Sequence, residues 1–152
     1  KVLSKGKTKQ QIIQAEGGFR LILLEDLPNI PRSGKGKEMA GRKQPEAGAT
    51  RQQYLEELKT NPQYISESGM TPEEQILYAI LHLEKTNQVI DDFQGNDSAS
   101  YQTGAYFPAS GSVPHAYWNR GYRQAVLSMY DPGSAASIIG IRNAVRVPLL
   151  KT

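Results

Sequence analysis

The side chains best equipped for acid–base or metal chemistry in this chain are two histidines, His82 and His115, and three adjacent carboxylate pairs, Glu56-Glu57, Glu73-Glu74 and Asp91-Asp92. None stands at a spacing that serves such chemistry. Successive residues on a helix point about 100 degrees apart, so neighbouring carboxylates cannot face each other as an acid and a base. Metal ligation needs three or four converging donors, and His82, flanked by apolar residues, reads as a packed structural histidine. Cysteine is absent, which removes disulfides, thiolate zinc sites and cysteine nucleophiles. The chain also has no G-x-x-x-x-G-K-[ST] phosphate loop, no dinucleotide fingerprint and no G-x-S-x-G elbow. No catalytic residue, metal ligand or cofactor is therefore assigned.

These residues must be carried by one ordinary domain, since 152 residues suffice for a single core and would be cramped as two. Hydrophobic residues at 38% against 22% charged place the chain with soluble globular proteins. The longest apolar run is Leu21–Leu24, far short of a bilayer crossing, so no membrane insertion is expected. The net charge is +3, and much of the positive charge is local, in Lys1, Lys5, Lys7 and Lys9 and in Arg32, Lys35, Lys37, Arg42 and Lys43. Neither cluster interleaves aromatic residues of the kind that stack on single strands, which disfavours nucleic acid as a partner. The first residue is Lys1 and not Met, which suggests a trimmed or a processed end, and either would have taken any targeting segment with it.

The local signals give an α+β order. Residues 18–24 read as a buried strand that Pro28 and Pro31 stop. Residues 33–49, rich in glycine and lysine, read as a flexible basic loop. Thr50 is an N-cap for a helix through Lys59, with Tyr54, Leu55 and Leu58 on one face and Asn61-Pro62 closing it. Thr71-Pro72-Glu73-Glu74 forms a capping box with proline at the first helical position. Ile76, Ile80 and Leu83, flanked by Leu77 and Leu81, then predict a stripe buried against the core. Beyond Ser98, frequent Gly and Pro suit short strands, and the period of two over 139–147 predicts one strand with Ile139, Ile141, Asn143, Val145 and Val147 on one face.

The last third carries the most specific pattern. Trp118-Asn119-Arg120-Gly121, then Ala125-Val126-Leu127, then Pro132-Gly133 and finally Ile139-Gly140-Ile141-Arg142-Asn143-Ala144-Val145-Arg146-Val147 are residue types that a frame demands. The residues between them follow no period. This ordered series resembles the variable region of diversity-generating retroelement variable proteins, which have a C-type-lectin-type fold related to that of formylglycine-generating enzyme. Asn143 departs from the pattern, which has cysteine or an apolar residue there. A buried amide at that place must find partners.

The resemblance implies a single C-type-lectin-type domain over residues 1–152, with two helices, short loop-rich antiparallel strands and a first strand paired with the last. It implies a variable region at about 106–147, hypervariable between copies, and a viral or cell-surface protein displayed for receptor recognition. The enzymatic branch of the related fold works through cysteine, which this chain lacks, so the expected role is non-enzymatic binding of a protein or other macromolecular surface ligand. An invariant structural component of a virion or surface assembly is the alternative. Calcium-dependent sugar binding is not expected, because Leu27-Pro28-Asn29 and Trp118-Asn119-Arg120 lack the carboxylates of the lectin motifs. Tyrosine and serine are favoured on adaptable recognition surfaces. The expected contact residues are Tyr106, Ser112, His115, Tyr117, Asn119, Tyr122, Arg123, Gln124, Ser128, Tyr130, Asp131, Ser134, Ala136 and Ser137, with Trp118, Arg120, Gly121, Gly140 and Arg142 holding the frame.

Overall fold

The computed structural model describes residues 21–93, 98–107, 109–130 and 135–147, together with Gln10 and Gln14. Along the chain run β1 (Leu21–Leu24), β2 (Glu38–Met39), β3 (Arg42–Lys43), α1 (Arg51–Thr60), β4 (Glu67–Gly69), α2 (Pro72–Thr86), β5 (Ala99–Tyr101), β6 (Val113–Asn119), β7 (Gln124–Tyr130), β8 (Ile139–Ile141) and β9 (Asn143–Val147). They form a three-stranded sheet β1-β9-β4, the β2-β3 pair and a four-stranded sheet β7-β6-β5-β8. All strand pairs are antiparallel except β5 with β8. The fold is α+β. The first described strand pairs with the last, Leu21 opposite Val147 and Leu24 opposite Ala144. Of the buried strand expected over 18–24, residues 18–20 lie outside the described residues, and the rest is not buried: Leu21 and Leu23 are 52% and 55% exposed on one face of β1.

Both helices begin where their caps dictate. Thr50 accepts from the Gln53 N–H while the Gln53 side chain accepts from the Thr50 N–H, and Thr71 and Glu74 make the same exchange at α2. Asn87 ends α2 in the left-handed conformation, φ 56°. Tyr54 of α1 is fully buried and meets Ala99, Tyr101, Val113, Ile139 and Ile141 in the main core cluster. Its hydroxyl donates to the Glu46 carbonyl at 2.6 Å, and burial pushes its pKa up to about 12.

Three further expectations are corrected. The α2 stripe does not enter the core: Ile76, Leu77, Ile80, Leu81 and Leu83 are between 43% and 57% exposed. The buried side of α2 carries Gln75 and His82 instead. Gln75 donates to Asp91 at 2.7 Å and Tyr78 to the Leu27 carbonyl at 3.2 Å, so polar contacts set the rotation of this helix. Periodicity identifies an apolar side but not what it faces.

Residues 33–49 are not a featureless loop. They contain the β2-β3 hairpin, and Gln44, Pro45 and Ala47 are buried. The Glu46 carboxylate organises them by accepting from the N–H groups of Gly34 at 2.9 Å and Gly36 at 2.8 Å. Those bonds, Gly34 foremost, hold its pKa below the usual carboxylate range.

The segment 139–147 is two strands in different sheets, not one. Ile139 through Ala144 are buried without alternation, because Arg142 is captured at the switch. Its guanidinium bonds Asp91 and the carbonyls of Leu27 and Pro28. Asn143 is buried as expected, but its amide does not find the expected partners: among the described residues neither Oδ1 nor Nδ2 is hydrogen-bonded.

Candidate recognition surface

The β6-β7 hairpin carries most of the expected contact residues. Its register pairs His115 with Ser128, Tyr117 with Val126 and Asn119 with Gln124. Alternate side chains of a strand point to opposite faces, so these six share one face, while Trp118, Ala116, Ala125 and Leu127 share the other. The hairpin thus sorts by parity into a polar and aromatic side and an apolar side. Tyr122 and Arg123 occupy the turn, Tyr122 at 77% exposure and Arg123 in the left-handed region at φ 52°. The Tyr122 N–H donates to Asn119 Oδ1 at 3.1 Å.

This hairpin is held from below. An aromatic series runs from the core into its polar face: Tyr54 against Tyr101, Tyr101 edge-on to His115, His115 stacked on Tyr117 at 5.9 Å, and Tyr117 against Phe93. The segment at Asp91–Phe93 pairs with β6 beyond the start of β5, with the Trp118 N–H donating to the Asp91 carbonyl at 2.8 Å and the Phe93 N–H to the Trp118 carbonyl at 3.1 Å. Arg120, at the start of the turn, forms an ion pair with the buried Asp92. Gly140 lies so close to the 30–47 segment that a Cβ there would sit 2.5 Å from Ile30 Cγ2 and 3.2 Å from Ala47 Cα.

Of the expected contact residues, Gln124, Ser128, Tyr122 and Arg123 are exposed and Tyr117 and Asn119 are half-buried. His115 and Ser112 are corrections: both are buried, at 7% and 8% exposure. His115 is a packing element between two tyrosines, and burial lowers its imidazole pKa below the ordinary histidine value. Tyr106 and Ala136 are half-buried and pack on the core cluster. Ser137 is exposed, and its carbonyl accepts from Arg32 at 3.0 Å. Ala136 and Ser137 precede β8, at the opposite edge of the sheet from β7, so they are not brought to the hairpin. Asp131 and Ser134 lie outside the described residues, as does the side chain of Tyr130.

Sequence reasoning missed Phe93, which supports Tyr117, and Val126, which shares its face. It also placed Ala125-Val126-Leu127 in the frame, whereas Leu127 is 51% exposed. Behind the hairpin an apolar groove of about 350 Å³ runs between α2 and β6-β7, lined among others by Ile76, Ile80, Leu83, Trp118 and Leu127. Parity along β7 was the available signal, because Gln124 and Ser128 alternate with Ala125, Leu127 and Met129.

Other chemistry is sparse. His82 Nδ1 lies 3.4 Å from Asp26 Oδ1, but the neighbouring Tyr78 hydroxyl is engaged by backbone carbonyls. Among the described residues no three His, Cys, Asp or Glu side chains converge as a metal site. Among them, too, no helix is long and apolar enough to cross a membrane. Comparison with family models, curated proteins and solved structures gave no significant match.

Proposed function

We propose that this chain is a non-enzymatic recognition protein, a C-type-lectin-type module of the retroelement-diversified kind, displayed on a virion or cell surface. Its contact face is the hairpin turn and the polar side of β6-β7. The reading rests chiefly on one observation. Exposed Tyr122, Arg123, Gln124 and Ser128 sit on a hairpin that Arg120-Asp92, Trp118-Asp91 and the buried aromatic series fix without their help. Side chains outside the supporting contacts can change identity while the backbone stays in place, and a preorganised face keeps the ordering cost of binding low. The ligand is then a macromolecular surface, recognised by aromatic, guanidinium and amide groups.

Sequencing related copies beside a reverse-transcriptase gene tests this directly. Substitutions should concentrate at positions such as 119, 122, 123, 124 and 128 and spare 91, 120, 140 and 142. An even spread over the chain would reject the reading. The alternative, an invariant structural component of an assembly, draws its support from the exposed apolar side chains of α2 and β7.

A further inference from the structure

Among the described residues, the outer edge of β7 is unguarded. β7 is an end strand of its sheet, and among the described residues nothing pairs with its free side. Exposed edge strands are ordinarily blunted by charge, proline, a bulge or brevity. Residues 124–130, Gln-Ala-Val-Leu-Ser-Met-Tyr, contain no charge and no proline, pair with β6 without interruption, and run for seven residues. Leu127 and Met129 on it are 51% and 57% exposed.

We propose that β7 pairs antiparallel with β7 of a second copy of this chain, about a twofold axis at Leu127, so that two four-stranded sheets become one of eight. This goes beyond the recognition reading and does not depend on it. The strand is self-complementary in this register. Leu127 meets Leu127, Met129 meets Ala125 and Val126 meets Ser128, so the apolar side chains form one row on the α2 side and no like charges oppose each other. Symmetric pairs of this kind are the commonest route to a homo-oligomer.

Size decides whether such a contact persists. A seven-residue strand edge is roughly 24 Å long, and alone it falls short of the roughly 800 Å² per partner of a stable interface. The half-exposed Ile76, Ile80 and Leu83, which line one groove with Leu127, supply further apolar surface for the second copy to cover. With the axis perpendicular to the sheet, the polar faces of both hairpins point the same way.

The chain has no cysteine, which makes the test clean. Paired residues across an antiparallel ladder have Cα atoms about 4.5–5.5 Å apart, within disulfide reach. Leu127→Cys should therefore cross-link to near completion under mild oxidation. Tyr122→Cys, at the turn and more accessible than Leu127, should not. Sedimentation of the unaltered chain should give twice the 16.8 kDa chain mass. Leu127→Lys and Leu127→Glu should each sediment as monomers with unchanged circular dichroism, and their mixture should recover the dimer mass. A monomer for the unaltered chain at all accessible concentrations overturns the proposal. So does a dimer that survives both charged variants or leaves Leu127→Cys uncross-linked.

Discussion

Arg142 holds Asp91 in a two-point grip, Nη2 to Oδ1 at 2.7 Å and Nε to Oδ2 at 3.4 Å, with the carboxylate 1% and the arginine 8% exposed. Asp91 also accepts from Gln75, Ser98 and Ser100, and it does so from a left-handed backbone at φ 51°. The pair joins the first strand's exit, the support of the hairpin and the switch between two sheets.

Breaking one side of that pair leaves the other buried without its counter-charge. Asp91→Asn is expected to lower unfolding free energy by about 3–5 kcal/mol, measured by urea denaturation. Arg142→Lys should cost a similar amount, because an ammonium cannot reproduce the fork. A loss under 1 kcal/mol in both would show that the pair does not hold the frame.

Gly140→Ala should destabilise by about 1–3 kcal/mol, since the added methyl must displace Ile30 and the backbone at Ala47. A lowered melting temperature with unchanged circular dichroism is the expected result.

Trp118→Ala is expected to cost about 1–2 kcal/mol, less than the 3–5 of a fully buried aromatic truncation. The indole is only half-buried and lines an open groove, so its removal leaves no closed cavity. Denaturant unfolding distinguishes the two magnitudes.

His115 makes stability pH-dependent on the acid side. Its folded pKa is lowered below 6.5 by burial, so the unfolded chain binds its proton first as pH falls. Stability from this residue is present above about pH 6.5, is lost as pH drops below it, and levels off beneath the folded value. His115→Phe keeps an aromatic body between Tyr101 and Tyr117 and should flatten melting temperature against pH over that window.

The elements whose signals are local were legible in the sequence. The Thr71-Glu74 box fixed the start of α2, and Thr50 did the same for α1. The frame residues were legible by type, because an arginine with many donors and a glycine beside a crowded backbone have few other uses. What a periodic face would meet was not legible. Ile76, Ile80 and Leu83 announce an apolar stripe, but the rotation of α2 is decided by Gln75 reaching Asp91, a contact 16 residues away in sequence. His115 failed for a related reason. A polar residue among expected contacts looks exposed until strand pairing sets it beside Tyr101. The break at Arg142 was hidden too, because alternating residues look alike in one strand or in two.

Pairing β1 with β9 carries a consequence in time. The three-stranded sheet has β9 at its centre, and Arg142 reaches the Leu27 carbonyl across 115 residues. Neither contact can form until the last strand has left the ribosome, and closing so long a loop costs entropy before any contact repays it. Helices α1 and α2 can form as soon as they are made, but the β1-β9-β4 sheet must wait for its central strand. β1 and β4 therefore wait unpartnered while everything between them and β9 is made, and their sheet closes only with the arrival of residues 143–147.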